Sequence, residues 1–342
     1  MHTLRSVCVS GLGLLVMVAS GSATAAPPSR SKIGIHLIGA NTAGVQRICA
    51  AHPRVIKLLD TSGAMLEAAR QYKASTPNGI VVLRIYTAKR YAITDAPAAS
   101  AEDFFRTVLA PPLNALSEAD RRLIDYVEGP NECDSTPCWG TLQEAKWFND
   151  FWVALAPRIA GAGFKPCAFC IPVGNPPGSA EEILRKIDAI VPALRICRRV
   201  GGAWSYHAYT PKYTTDLEYQ LSYSLRYRRF YRRFAERHPD LRDLPLLITE
   251  AGFDTGGDPH KSGWQANGTA QQFQQWLTWW DRQIGEDHYV LGSTLFQIGS
   301  PQTWPSFDVE PIADWLAGYL KAAGPMPREA GPPSTHPAAP AR

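Results

Sequence analysis

Two glutamates, Glu132 and Glu250, each follow a short apolar run with the character of a buried strand. The first run is Leu123-Ile124-Asp125-Tyr126-Val127-Glu128-Gly129-Pro130-Asn131-Glu132, and the second is Leu244-Pro245-Leu246-Leu247-Ile248-Thr249-Glu250. A carboxylate at the carboxyl end of a parallel strand points into the mouth of an α/β barrel. Two carboxylates facing each other there suit the breaking of a glycosidic bond: one protonates the leaving oxygen and the other attacks the anomeric carbon. The first must hold a proton near neutral pH and the second must be ionised. An apolar wall or a neighbouring anion favours the first state, and Arg and hydroxyl donors favour the second. Arg84 and Tyr209 are the candidates for that second task.

Such a pair needs a scaffold that brings distant segments to one rim. The sequence offers eight strand-like runs: Ile33–Leu37, Arg54–Leu59, Ile80–Tyr86, Leu123–Glu128, Pro166–Pro172, Ala203–His207, Leu246–Thr249 and Val290–Phe296. Most are short and apolar, as a sheet buried on both faces requires. Helical periodicity fills the intervals. Met65, Ala68, Ala69 and Tyr72 share one face, as do Phe148, Phe151, Trp152 and Leu155. Tyr223, Tyr227, Phe230 and Phe234 form a third stripe, and Phe273, Trp276, Leu277, Trp280 and Ile284 a fourth, which places those Trp residues in the core. Ser179-Ala180-Glu181-Glu182 is a capping box. The alternation predicts a single-domain (β/α)8 TIM barrel. An open doubly wound sheet is disfavoured because no Gly-rich phosphate turn follows an early strand.

The ends of the chain differ from its middle. Arg5, the apolar stretch Val7 to Ala19 and the small residues Ser22 to Ala26 have the layout of a secretory signal over residues 1–26. The expected catalytic domain is 27–321, and the Pro/Ala-rich residues 322–342 are expected to be a disordered tail. A secreted or periplasmic location follows, with no membrane span once the signal is removed. Beyond Cys8, the six cysteines Cys49, Cys133, Cys138, Cys167, Cys170 and Cys197 are an even number, which favours disulfides in an exported protein. A Cys133–Cys138 bridge would stiffen the loop after Glu132; the spacing leaves the connectivity open. Cys167-x-x-Cys170 lacks a thioredoxin-like context, and no second ligand pair makes a zinc site, so no metal and no cofactor are expected.

Composition excludes some classes. A net charge of +4 is too small to argue for nucleic acid. Arg226-Tyr227-Arg228-Arg229-Phe230-Tyr231-Arg232-Arg233 places its aromatics on one helical face and its arginines mostly on the other, which a solvated helix explains. There is no nucleophile elbow and no HExxH motif. Ten Trp, 13 Tyr and 12 Phe suit sugar binding as well as core packing. Trp139 and Trp264, in loops after the fourth and seventh strands, are candidate cleft walls that favour a poly- or oligosaccharide.

The set Asn131-Glu132, His207-Ala208-Tyr209 and Thr249-Glu250, with Arg84 earlier, resembles the (β/α)8 glycoside hydrolases of clan A, which include cellulase-like and xylosidase-like enzymes. The resemblance implies a retaining glycosidase with Glu132 as acid/base and Glu250 as nucleophile. It further implies that Asn131 binds the sugar 2-hydroxyl, that Tyr209 holds Glu250, and that His207 and Arg84 line the subsite beside the scissile bond. Two departures stand out. Gln297 occupies the place where many clan members carry Trp, with Trp304 as a replacement platform, and Arg84 falls on the third strand while Lys57 holds the second. His36, ending the first strand, should also face the mouth. The reading is of a monomer acting on carbohydrate. The alternatives are a glycan-binding barrel without activity, and a barrel acting on phosphorylated metabolites through Gly252, Gly256 and Gly257, which an export signal disfavours.

Overall fold

A computed structural model describes residues 25–327. Eight parallel strands close into a barrel in sequence order: β1 Ile33–Leu37, β2 Val55–Leu58, β3 Ile80–Leu83, β4 Tyr126–Glu128, β5 Lys165–Ile171, β6 Ala203–Thr210, β7 Leu246–Phe253 and β8 Val290–Ile298. The eight strands and the barrel agree with the sequence reading. Residues 1–24, most of the expected signal, lie outside the described residues. So does most of the expected tail, but its first residues are ordered: the last helix runs Ala313–Ala323, and Pro325 bridges Ser29. No described helix is long and apolar enough to cross a membrane.

Strand alternation sorts the side chains into two populations. Ile56, Leu58, Val127, Trp204, Tyr206 and Ile248 join the large core between sheet and helices. Val55, Val82, Tyr126, Cys167, Ala203 and Leu247 form a separate cluster that fills the bottom of the barrel. Two residues further along the same strands come Lys57, Arg84, Glu128, Ser205 and Thr249, all buried. The barrel interior is therefore apolar at its base and charged toward its carboxyl end, which sets the site above a dry floor.

Helices cover the outside through the expected stripes. Helix Leu142–Gly161 buries Phe148, Phe151, Trp152 and Leu155, and helix Ala270–Glu286 buries Trp276 and Trp280. Ser179 caps helix Ala180–Ala189 with a capping box to Glu182. The basic helix Tyr227–Arg237 begins later than its stripe suggested, and Tyr223 lies in the preceding turn, stacked on Tyr219 at 4.7 Å. In the basic run, Arg226, Arg228, Arg229 and Arg233 have acidic or carbonyl partners, and Arg232 is exposed. Arg228 pairs with Asp287 at 2.9 Å, Arg233 pairs with Asp188, and buried Arg226 donates to Asn175 O at 3.1 Å. The run is therefore largely packed and paired, with Arg232 on its solvated side.

Among the expected disulfide cysteines, Cys133 and Cys138 are bridged. Cys49, Cys167, Cys170 and Cys197 are free thiols buried in the core. Burial pushes the Cys49 and Cys197 thiols up to about 12, so they pack as small apolar groups.

Candidate active site

The carboxyl end of the barrel opens into a cavity of ≈580 Å³ lined by residues that include Arg84, Asn131, Glu132, Tyr209, Glu250 and Trp304. Glu250 does not end its strand; β7 continues to Phe253. Across β6 and β7, Tyr206 faces Ile248 but His207 faces Glu250, so Thr249 is an extra residue in the ladder. This bulge lets consecutive side chains both point inward, as bulges beside functional sites do. The Thr249 hydroxyl lies 2.6 Å from Ser205 Oγ inside the barrel, and Glu250 enters the cavity just above it.

Three donors converge on Glu250. Lys57 Nζ donates to Oε1 at 3.1 Å, Arg84 Nη1 to the same oxygen at 3.2 Å, and Tyr209 Oη to Oε2 at 2.9 Å. His36 Nδ1 stands 3.6 Å from Oε1. Burial alone would push the Glu250 carboxyl up, but His207, Lys57, Arg84 and His36 together outweigh it and hold the carboxyl well below the usual range. His36 is itself kept from protonating, first by burial and then by Lys57. Lys57 and Arg84 bring their nitrogens closest to Oε1, at 3.1 and 3.2 Å. Burial, then Glu250 and Glu132, keep Tyr209 a phenol and hence a donor.

Glu132 reaches the site differently. Strand β4 stops at Glu128, and Glu132 sits four residues beyond, in the loop Gly129-Pro130-Asn131 onward. Gly129 permits the close approach of this loop to the helix behind it: a Cβ there would lie 2.6 Å from the Trp152 ring. Glu132 has a left-handed backbone, φ +43°, which is unfavourable for a residue with a side chain. The Cys133–Cys138 bridge immediately follows and closes the loop, and Tyr91 N donates to Ser135 O at 2.8 Å. The Glu132 side chain is 31% exposed, open to the cavity. His207 Nδ1 lies 2.6 Å from Glu132 Oε1 and 3.5 Å from Glu250 Oε2. One oxygen of Glu132 and one of Glu250 come within 4.8 Å of each other.

The remaining expected residues divide into two groups. Arg84, Asn131, Tyr209 and Trp304 line the cavity. Asn131 accepts from Arg84 and donates to Asp134 at 2.9 Å. Trp304 meets Phe296 and Phe307 edge-on at 5.1 and 5.6 Å. His36, His207 and Gln297 are fully buried and do not line the cavity. His36 lies below the rim with its ring against Phe296, at 5.5 Å. His207 is sequestered between the two carboxylates. Gln297 is committed to its own loop, donating to Ser300 O and Trp304 O, both at 3.2 Å. Trp139 and Trp264 are core residues, against Phe148 and Phe273 respectively, and build no wall.

Several site residues escaped the sequence reading. Phe296, one position before Gln297, supplies the aromatic surface at the end of β8. Tyr86, after β3, is 73% exposed on the cavity rim. Glu128 lies fully buried beneath the cavity, 2.8 Å from Lys57 Nζ, and accepts from Ser205 Oγ at 2.7 Å. Burial pushes its carboxyl up, but Lys57, His207 and Arg84 pull it down to about 2. Its signal was parity. Glu128 is two residues past the inward Tyr126, and Lys57 two past Val55.

No protein-family model matches this sequence, and no curated protein matches it. Among solved structures, the catalytic domain of a mannanase from Streptomyces sp. SirexAA-E is similar over 90% of this chain and 90% of its own, at 15% identity and TM-score 0.45. An endo-β-1,4-glucanase from Xanthomonas axonopodis pv. citri, carrying three substitutions, is similar over 85% of this chain and 99% of its own, at 16% identity and TM-score 0.48. A β-mannanase from Streptomyces thermolilacinus is similar over 83% of this chain and 83% of its own, at 13% identity and TM-score 0.44. Identities and scores this low leave the chemistry of this chain to its own residues.

Proposed function

We propose that this protein is a retaining glycoside hydrolase acting on a poly- or oligosaccharide by double displacement. The observation that carries the proposal is the approach of Glu132 and Glu250 oxygens to within 4.8 Å across an open cavity. Retaining enzymes hold their carboxyl groups about 5–5.5 Å apart, and inverting enzymes leave room for a water between them. The environments of the two also differ as the chemistry requires. Glu250, gripped by Lys57, Arg84 and Tyr209, is the ionised nucleophile. Glu132, exposed to the cavity, is the acid/base, reachable by a leaving-group oxygen and later by water.

In the first step a Glu250 oxygen bonds to the anomeric carbon, and the bond to the leaving oxygen breaks with its electron pair. That oxygen takes the Glu132 proton. In the second, Glu132 removes a proton from water, the water oxygen bonds to the anomeric carbon, and Glu250 leaves as a carboxylate. His207 orients Glu132 and separates it from Glu250. Asn131, fixed by Arg84, presents its amide toward the sugar hydroxyl beside the reacting carbon. Phe296 and Trp304 offer apolar surface to the ring, and Tyr86 with Ile85 extends that surface along the rim, which suits a chain of sugars. The disulfide beside the acid/base fits an exported enzyme.

The test is a panel of mannans, β-glucans, xylans and galactans, together with oligosaccharides of glucose, mannose, xylose and galactose. Products are read by mass and the first-formed anomer by NMR. Cleavage with net retention is expected, and Glu132→Gln should abolish turnover of unactivated substrates. A net inverted product, or binding without cleavage by the wild type, would overturn the proposal.

A further inference from the structure

Beneath the cavity, Lys57 also pairs with a second buried carboxylate, Glu128, which the two-carboxylate mechanism does not use. Lys57 Nζ lies between two anions, 2.8 Å from Glu128 Oε2 and 3.1 Å from Glu250 Oε1. The contact with Glu250 is a directed hydrogen bond, and that with Glu128 is a close ion pair. Glu128 is fixed from three strands. Ser205 on β6 donates to Oε1 at 2.7 Å and lies 2.6 Å from the Thr249 hydroxyl on β7, one residue before Glu250. Thr294 on β8 holds Thr249 in turn, donating to its carbonyl at 2.5 Å. Glu128 is fully buried and touches no part of the cavity.

The charge balance gives this pair a task, on the retaining reading above. When Glu250 bonds to the anomeric carbon, its carboxylate charge disappears into a neutral ester. The leaving oxygen departs with the bonding electrons and the Glu132 proton. Lys57 and Arg84 then face an uncharged group in a water-poor site, where an unpaired cation is costly. Glu128 remains an anion through both steps. We propose that Glu128 is a positioning residue that shares Lys57 with the nucleophile and holds the Lys57 charge while Glu250 is esterified.

The proposal requires effects of opposite sign on the two steps. Without the Glu128 charge, Lys57 binds the free Glu250 carboxylate alone. Attack, which consumes that carboxylate, slows. Hydrolysis of the ester, which regenerates it, does not slow. Damage to packing would impair both. The probes are the 2,4-dinitrophenyl and phenyl glycosides of whichever panel sugar the wild type releases, assayed with the wild type, Glu128→Gln and Glu128→Asp. Glutamine keeps the shape, turning its carbonyl to Lys57 and its amide to Ser205.

With the phenyl glycoside, attack limits turnover, and kcat of Glu128→Gln should fall about tenfold, the effect of a tenfold change in one charge equilibrium. With the dinitrophenyl glycoside, ester hydrolysis limits turnover, and kcat should hold or rise. Glu128→Asp, which keeps the charge, should return the ratio of the two toward wild type. Should Glu128→Gln not fold, Lys57→Met/Glu128→Gln removes the pair as a neutral unit and should give the reverse split, with ester hydrolysis slowed. Equal losses on both glycosides, in wild-type-stable protein, overturn the proposal while leaving the retaining reading intact. A wild type that cleaves neither glycoside overturns both.

Discussion

Replacing Glu128 with glutamine should change how the protein responds to acid, whatever its substrate. In the folded state the carboxyl titrates at about 2, against 4.5 in an unfolded chain. A group whose folded pKa is depressed adds stability that is present above the unfolded value and is lost as pH falls through the folded one. Here that window runs from 4.5 down to about 2. The difference corresponds to about 3 kcal/mol, at 1.36 kcal/mol for each tenfold change. Removing one member of a buried pair costs about 3–5 kcal/mol, which agrees in size. The shape of the comparison follows. At neutral pH, Glu128→Gln should be about 3 kcal/mol less stable than wild type, and the two should converge as pH approaches 2. Urea unfolding followed by Trp fluorescence at fixed ionic strength, at neutral pH and at steps between 4.5 and 2, reads the gap directly. A gap that stays constant across that range would show that Glu128 is not the ionised partner of Lys57, and the charge-sharing argument would go with it.

Three further outcomes are expected. Tyr209→Phe removes a charge-assisted hydrogen bond at 2.9 Å that stabilises the departing carboxylate. At about 2 kcal/mol this should slow ester hydrolysis roughly 30-fold, seen in kcat on a dinitrophenyl glycoside, and should move the acidic limb of the kcat/KM profile, which reports the free Glu250 carboxylate, upward. Tyr86→Ala, at a rim residue 73% exposed, should raise KM for a polysaccharide several-fold and leave a monosaccharide aryl glycoside unchanged, with no loss in Tm. Opening the Cys133–Cys138 bridge, as Cys133→Ser/Cys138→Ala, should cost about 2 kcal/mol for so short a loop and lower kcat, with faster amide exchange confined to the residues around Glu132.

Much of this site was legible before any fold was known, and the gaps have physical causes. Short apolar runs located every strand, because a parallel barrel buries both faces of its sheet. Glu132, Glu250, Arg84, Asn131 and Tyr209 meet at one cavity, as the strand order required. His36 and His207 were placed at the rim because strand-end position does not report depth; both point inward below the opening. Gln297 was given the place that Phe296 takes, since neighbouring positions at a strand end do not show from sequence which side chain faces the opening. The bulge at Thr249 was invisible, as no Gly marks that position and the apolar run Leu246-Leu247-Ile248 leads into it without a break. Trp139 and Trp264 looked like loop aromatics because sequence gives no measure of how a long loop folds back on the helices. Lys57 and Glu128 were the avoidable omissions, since their inward parity was already fixed by Val55 and Tyr126.

The identity of the nucleophile can be read by trapping. A 2-deoxy-2-fluoro glycoside with a dinitrophenyl leaving group, made from the sugar the wild type releases, should inactivate the enzyme with one label per chain. Peptide mass mapping should then find the added sugar on the segment containing Glu250. Label on Glu132, or steady turnover without any accumulated adduct, would contradict the assignment.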